Sequence, residues 1–428
     1  MITGADSLRM EDPKGVAPMQ ETQTLDSSVP TYAEPQRFGH GVCWLIRDKR
    51  LKSLLHKILN SYWGLSVKYR NFPGAQPVPL LREKLKEMVK SPDKWRVGKK
   101  SHGERMLIAF LALDRFKTKV HLFINRKREY RLVRFDVSDC VENGTVLDGE
   151  LVMNTETGRA HFFAFDLVHL GGMSTRFYPH SSRMFALRAL IESEIRLLED
   201  SPCTLSCKPF YPLLEWNVFV QEQGLAQAYL PQTSSSSSSA LSSSSMSLTL
   251  SSQKQTEPQE HHPGDGIVFI REDRPVMYSI DQEQPKWKEL SHCTGDWYLV
   301  LVPTEETDSN GHRSQDSSRD RVELYSVDVE TKEPREVAIQ SRAETERLLR
   351  EQQVDPKILE EGHRTIVECS PHPNPNKPFE THGILWCPRT IREDKQYPNT
   401  VEDWKKLLSV IQEHISFGEL CLRFKFTS

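Results

Sequence analysis

The chain has 428 residues, 56 Lys+Arg against 59 Asp+Glu, a formal net charge of -3 and 37% hydrophobic content. That suits two or three cored segments and excludes a wholly disordered chain. No apolar run reaches the length of a membrane span, the first residues lack the apolar stretch of a signal peptide, and the eight cysteines form no C-x-x-C pair that would read as a zinc site or redox motif.

Residues 1–35 are polar, without periodicity, and read as a disordered tail. Asp48 caps a predicted helix with Leu51, Leu54, Leu55, Ile58 and Leu59 on one face. A turn-rich stretch, Phe72-Pro73-Gly74-Ala75-Gln76-Pro77-Val78, precedes a short helix through Leu81, Leu85 and Met88. Strands follow at Met106–Ala112, Val120–Ile124, Tyr130–Val133, Val146–Met153 and His161–Val168, then an amphipathic helix over 182–199. Residues 232–263 are Ser-rich and read as a disordered insertion in a surface loop. Strands resume at Gly266–Ile270, Val276–Ile280 and Trp297–Val302. After a charged helix over 341–362 come Ile366–Cys369, a helix from Val401 to Ile415 capped by Thr400, and a terminal strand near Leu420–Phe424.

Charge concentrates at the ends of these elements. Lys99-Lys100-Ser101-His102-Gly103-Glu104-Arg105 leads into the apolar run at Met106, as a turn presenting Lys100. A lysine attacks phosphorus only as the neutral amine, which calls for burial and nearby positive charge, here from Lys99 and Arg105. Asn125-Arg126-Lys127, Asp148-Gly149-Glu150, Asp265-Gly266 and Lys286-Trp287-Lys288 follow, the last with two lysines on one face of an extended segment. Trp386, Arg389, Arg392-Glu393-Asp394-Lys395 and Pro398-Asn399 close the series. Taken singly, each reads equally as a turn or as wet surface.

Their order and spacing resemble the covalent nucleotidyltransferase superfamily, and within it the mRNA capping enzymes (GTP:RNA guanylyltransferases). Lys100-Ser101-His102-Gly103-Glu104-Arg105 matches the nucleophile element Lys-x-Asp-Gly-x-Arg. Phe123–Arg126, Asp148–Glu150, Phe163–Asp166, Asp265–Phe269 and Lys286–Lys288 match the later elements in order. Phe72–Val78 is similar to the capping family's Phe-Pro-Gly-x-Gln-Pro-Val, and Ile366–Cys369 with Trp386 through Asn399 to its C-terminal signature. Two positions depart: His102 stands for the usual Asp, and Asn125 for the Asp before the arginine of the third element.

The resemblance implies an α+β fold, with a nucleotidyltransferase domain (adenylation-type, ATP-grasp-like, antiparallel sheets) over 36–289 and a C-terminal OB-fold β-barrel domain with a C-terminal helix over 290–428. It implies that Lys100 attacks the GTP α-phosphorus, giving a lysyl-N–GMP intermediate that passes to the 5′-diphosphate end of nascent RNA. Arg105, Arg126, Lys286 and Lys288 would supply the positive field, with Mg2+ or Mn2+ as cofactor near Glu150 or Asp265. Glu150 would contact the ribose, Phe165 or Phe163 would stack the guanine and Lys208 would read its oxygen. Asp296, Arg392, Asp394 and Lys395 complete the GTP-binding set, the arginine and Lys395 closing on the β- and γ-phosphates. Expected partners are a separate RNA 5′-triphosphatase, a cap methyltransferase and the RNA polymerase II C-terminal tail, in the nucleus, with no membrane.

An ATP-dependent polynucleotide ligase shares the lysine chemistry but has no need of the Phe72–Val78 stretch or the Arg-x-Asp-Lys with Pro-Asn. A catalytically weakened scaffold of the same fold, binding RNA or polymerase, would show losses among the core lysines and arginines, and none is lost. Cysteine-phosphatase chemistry is excluded at His292-Cys293, where Leu299 stands in the arginine's place, and no Gly-rich methyl-donor loop is present.

Overall fold

The computed structural model describes residues 33–38, 41–113, 118–199, 201–229, 264–303, 306–307, 313–314, 320–373 and 383–425. The expected N-terminal tail lies almost wholly outside these residues, and the Ser-rich insertion entirely so.

Glu104–Leu113 lies in the middle of a nine-stranded, mainly antiparallel sheet. Its run of apolar residues does not alternate with polar ones because both faces are covered. Leu107, Ala109 and Leu111 pack under the helix Lys49–Tyr62, while Met106, Ile108 and Phe110 belong to the opposite core with Leu187 and Leu190 of the helix His180–Ser193. The Asp48 carboxylate caps the first helix, accepting from the Leu51 N–H at 2.6 Å. Thr145–Met153 and Ala160–Leu170 extend the sheet on one side, and Thr204–Cys207 adds to Ala160–Leu170 in parallel.

A second, five-stranded sheet runs in the order Tyr211–Pro212, Trp95–Ser101, Gly264–Arg271, Ser279–Trp287, Ala75–Pro79. Trp95, Val97, Ile267, Phe269 and Trp287 bury its outer face against Trp216, Phe219, Phe417 and Phe424. Lys100 therefore sits on the strand Trp95–Ser101, not in a turn leading into the Met106 run. The turn at His102-Gly103 carries the chain from this sheet to the first.

The third sheet is antiparallel, in the order Pro334–Ser341, Arg321–Val327, Gly295–Val302, Ile366–Pro373, Ile384–Ile391. Numbered along the chain that is 3-2-1-4-5, the order of a partly open OB-type barrel. Among the described residues no backbone ladder joins the two edge strands. The Gln340 side chain bridges them instead: its Nε2 donates to the Trp386 carbonyl at 2.7 Å and its Oε1 accepts from the Trp386 N–H at 2.8 Å. Trp297 and Trp386 meet edge to face at 5.9 Å in the barrel core.

Three expectations are corrected. Residues 417–423 form a helix, not a strand, capped by Ser416, whose hydroxyl accepts from the Glu419 N–H. Its apolar face turns back onto the second sheet, where the Ile415 carbonyl accepts from Trp287 Nε1 at 2.6 Å. The helix over 182–199 ends at Ser193, and Ile195–Arg196 pairs as a strand, which leaves Leu198 exposed. The charged helix over 341–362 is two helices, Arg342–Glu351 and Ile358–Glu361.

Candidate active site

Strand register lines up one row of side chains across the first sheet. Arg105 lies opposite Glu150, Glu150 opposite Phe163, and Phe163 opposite Ser206. Side chains directly opposite one another share a face. Beyond Arg105 the neighbouring strand ends at Asn125, opposite Met106, which brings Arg126 to the same end of the sheet. Burial, and then the Arg105 charge, pull Arg126 below the usual guanidinium value.

Arg105 is caged. Its Nε and Nη2 donate to the two Asp148 oxygens at 3.0 and 2.6 Å, and Nη1 donates to the Ala75 carbonyl. The Phe72 and Phe165 rings lie 5.7 and 5.0 Å from the guanidinium. Gly74 is the residue that fits this turn, since a Cβ there would stand 2.9 Å from Asp148 Oδ2 and 3.0 Å from Arg105 Nη2. The Phe72–Val78 stretch thus has a physical task, and the Arg105 charge expected to assist Lys100 is matched by Asp148.

One carboxylate organises this end of the second sheet. Asp265, 5% exposed, accepts from Lys100 Nζ through Oδ1 at 2.6 Å and pairs with Lys288 Nζ through Oδ2 at 2.6 Å. Burial pushes Asp265 up, but Lys100 and Lys288 outweigh it and hold the carboxyl below the usual range. Lys286, one strand over, is half-buried. Burial first, then the charges of Lys288, Lys100 and Arg126, bring it down to about 8. Gly266 has φ +150°, and a Cβ there would run into the Trp287 carbonyl, so glycine lets Gly264–Arg271 close up on the strand that carries Lys286.

The departures from the motif have clear surroundings. His102 is exposed, with Nδ1 3.8 Å from Asp265. Asn125 donates to Glu104 and Glu129 at 3.0 and 2.8 Å and accepts from the Lys127 and Glu129 N–H groups, so it ties the turn that carries Arg126. Gly103 N–H donates to Glu150 at 3.2 Å, joining the nucleophile turn to the first sheet's row.

Lys208, expected to read the guanine oxygen, is 3% exposed. Its Nζ donates to Ser101 Oγ at 2.6 Å and stands 4.0 Å from Glu150. Phe163 is 5% exposed, against the His161 ring at 4.2 Å, whereas Phe165 lies at a strand irregularity beside Arg105.

The third sheet carries a second carboxylate-centred cluster. Asp296, 6% exposed, accepts from Arg392 Nη1 at 3.0 Å and from Lys395 Nζ. Its backbone is pinned by Asn399, which accepts from the Asp296 N–H at 2.7 Å and donates its own N–H to the Asp296 carbonyl at 2.8 Å. Arg392 also pairs with Asp394 at 2.9 Å and Glu368 at 3.4 Å. The hydrogen bond from Arg392 holds Asp394 down to about 2.

Sequence reasoning missed Ser206 and His161, and named Asp148 only as part of a motif, without its pairing with Arg105. Thr204, Ser206 and Lys208 alternate on one strand face, which was a legible signal. The reach from Arg105 to Asp148, 43 residues apart, was not.

Residues 44–228 match the family model for the mRNA capping enzyme catalytic domain. The "mRNA-capping enzyme subunit alpha" of Neurospora crassa is 26% identical over 245 residues, 54% of either chain. That of Yarrowia lipolytica is 25% identical over 372 residues, 81% of this chain and 80% of the relative. That of Saccharomyces cerevisiae is 29% identical over 151 residues, 31% of this chain and 32% of the relative. The chain thus spans about half the length of the Neurospora relative in the matched region. Among solved structures, a mycobacterial DNA ligase D complexed with ATP and MES covers 76% of this chain and 94% of its own at 12% identity, with a TM-score of 0.35, too loose a superposition to argue from. No helix among the described residues is long and apolar enough to cross a membrane. The matched segment holds Lys100, Arg105, Arg126, Glu150 and Lys208, and over it the chain is similar to the mRNA capping enzymes.

Proposed function

We propose that the chain is an mRNA guanylyltransferase acting through Lys100. The observation that carries this is the pairing of Lys100 with Asp265 inside a cluster that also holds Lys288 and Lys286, facing the Arg105–Glu150–Phe163 row. In the first half-reaction Lys100 Nζ, as the neutral amine, attacks the GTP α-phosphorus. The N–P bond forms, the bond to the bridging oxygen breaks, and pyrophosphate leaves with that electron pair. In the second, the terminal phosphate oxygen of 5′-diphosphate RNA attacks the same phosphorus, the N–P bond breaks, and the lysine is freed. Asp265 holds the Lys100 ammonium until substrate enters and is the nearest group to pass its proton on. Lys286, Lys288 and Arg126 stabilise the charge that grows on the α-phosphate. Glu150 is positioned for the ribose hydroxyls and Phe163 or Phe165 for the base, with Lys208 for its oxygen. Arg392 and Lys395, with Asp394 and Asp296 behind them, take the β- and γ-phosphates when the third sheet closes.

Among the described residues no three His, Cys, Asp or Glu side chains gather at one point. That suits a Mg2+ or Mn2+ held mainly by phosphate oxygens and water, with Asp265 or Glu150 as the protein ligand. Such an ion would neutralise phosphate charge. The reading divides the chain into a nucleotidyltransferase unit over 36–289 and an OB-type unit over 290–428, the last helix reaching back onto the second sheet. It places the chain in the nucleus, with a separate RNA 5′-triphosphatase, a cap methyltransferase and the polymerase II tail as partners.

The test is incubation with α-labelled GTP or ATP and a divalent metal. Acid-labile label from GTP, and little from ATP, is the expected result. Label from ATP alone would make a polynucleotide ligase the better reading, and no label from either would leave a scaffold.

A further inference from the structure

Beyond Arg105 and Arg126 the structure presents a surface that the reaction scheme does not use. Arg128 sews two loops together there. Its Nε donates to the Asn71 carbonyl at 2.8 Å and its Nη2 to Asn60 Oδ1 at 2.9 Å, which ties the turn carrying Arg126 to the loop that leads into Phe72. The Arg128 guanidinium lies 5.9 Å from the Tyr69 ring, and Tyr69 meets Tyr278 edge to face at 6.0 Å. Tyr69 Oη donates to the Phe72 carbonyl at 3.4 Å, and the Phe72 ring is one of the two that pack against Arg105. On the far side Arg176 Nε donates to the Val276 carbonyl at 3.0 Å, and the Val276 N–H donates back to the Arg176 carbonyl at 2.9 Å. That exchange brings Phe177 beside the segment carrying Tyr278.

Phe177 is 72% and Tyr278 41% exposed, Tyr69 is half-buried, and Lys68, Arg70 and Lys127 are exposed. Among the described residues none of these three cations is held in a salt bridge. The neighbouring carboxylates, Glu104 and Glu129, accept from Asn125, and Glu129 also pairs with Arg131 at 2.8 Å, so their charge is spent locally. Two residues hold the surface in shape from the left-handed region, Arg128 with φ +55° and Ser279, next to Tyr278, with φ +64°. Such conformations persist where the surroundings impose them, and they gather at ligand contacts.

Rings that stack on any base, set among cations that meet one charge per nucleotide, are what a single-stranded nucleic acid needs. Stacking chooses no sequence, which suits an acceptor whose sequence changes from transcript to transcript. An acidic peptide would use the cations but has no series of bases to offer the rings. Resting on the guanylyltransferase reading, we propose that Lys68, Arg70 and Lys127, with Tyr69, Tyr278 and Phe177, carry the body of the acceptor RNA downstream of the 5′-diphosphate that enters at Arg126.

The experiment measures transfer from the preformed, purified lysyl–GMP adduct to two diphosphate-ended acceptors, a dinucleotide and a twenty-nucleotide strand. Wild type is compared with the triple variant Lys68→Ala, Arg70→Ala, Lys127→Ala and with Tyr278→Ala. Wild type should show a KM for the long strand about ten- to a hundredfold below that for the dinucleotide. Both variants should lose about tenfold of that advantage or more, keep the dinucleotide KM and kcat, and form the adduct from GTP as wild type does. In the triple variant the slope of log KM on log salt, for the long strand, should flatten by about 2, since each single-strand phosphate contact contributes about 0.7. A length advantage left intact in both variants overturns the proposal, and so does a wild type that uses the dinucleotide as well as the long strand. Dinucleotide transfer falling in step with the long strand overturns it too, because the variants would then be disturbing the site itself. Binding of a phosphorylated peptide lost in the triple variant, with RNA length dependence unchanged, would make this a protein dock instead. Where Tyr278→Ala fails to fold, Phe177→Ala removes the most exposed ring and should show the same loss. Wild type that forms no adduct from GTP would overturn the functional reading first, and this proposal with it.

Discussion

Two nearly buried aspartates, Asp265 on the second sheet and Asp296 on the third, do the same thing in opposite company. Each divides its two oxygens between two cations, Lys100 and Lys288 in one case, Arg392 and Lys395 in the other. Around Asp265 a further lysine and an arginine stand close by, Lys286 and Arg126, and the cluster carries excess positive charge. Around Asp296 two more carboxylates, Glu368 and Asp394, share Arg392. On the proposed function the first cluster would seat a phosphate as it stands, whereas the second is self-neutralised and would free its cations only where a phosphate replaces the carboxylates.

The sharpest break in that comparison is at the nucleophile. Lys100→Ala should abolish the protein-bound nucleotide altogether, while Lys99→Ala, on the alternate strand face, should keep at least part of it. Acid-labile label after gel separation reads both, and label mapping to Lys99 would reverse the register. Next in size is the clamp. Lys395→Ala should slow adduct formation from GTP by about ten- to a hundredfold, the cost of one charge-assisted phosphate contact. Transfer from a preformed, purified adduct to diphosphate-ended RNA has no pyrophosphate to hold and should suffer less. Equal losses in the two steps would make the Asp296 cluster a structural knot.

Arg105–Asp148 supplies a third cation–carboxylate pair, one that reads as packing. Gly74→Ala would press a methyl group onto both partners, and overpacking of that kind costs about 1–3 kcal/mol. A drop in melting temperature with adduct formation reduced in parallel is expected. Full activity and an unshifted melt would mean that the turn relaxes and the cage is not needed.

These three pairs were unequally legible in the sequence. The long strands of the first sheet were readable because short β-prone runs are bounded by turn residues, and the helix at Lys49–Tyr62 because Asp48 caps an apolar stripe, whereas in the second sheet Trp95–Ser101 reads in sequence as a turn. Motif order named Lys100, Asp265, Lys286 and Lys288, which the second sheet sets side by side. It could not say that Arg105 would be neutralised, because that depends on a register between strands 43 residues apart. The helix at Phe417–Arg423 was read as a strand because Leu420-Cys421-Leu422 is too short an apolar run for periodicity to decide. The Ser416-x-x-Glu419 spacing was the better signal, since a serine three residues before an acid marks a helix start. The burial of Lys208 was not legible either: it is set by what closes over the lysine, here Ser101 and the Glu150 row, and neither is near it in sequence.

The smallest effect tests the excess charge at Asp265 directly. Lys286 is held at about 8 in the folded chain by burial and by Lys288, Lys100 and Arg126, against about 10.4 when unfolded. Between those values the unfolded chain binds more protons than the folded one, so this group makes stability rise with pH from about 8 to about 10.4 and adds no slope below 8. Allowing for its partial exposure, the gain should be about 2 kcal/mol or less. Nucleotide affinity should move the other way, because a neutral Lys286 no longer attracts phosphate: about a five- to tenfold loss between pH 8 and pH 10. Other groups titrate in this range, so the measurement is the difference between wild type and Lys286→Arg, in melting temperature and in GTP binding, at pH 7, 8, 9 and 10. Arginine keeps its charge throughout, and both differences should open above pH 8. Flat difference curves would mean that Lys286 keeps an ordinary lysine's proton, and that the second sheet's cluster is as well compensated as the third's.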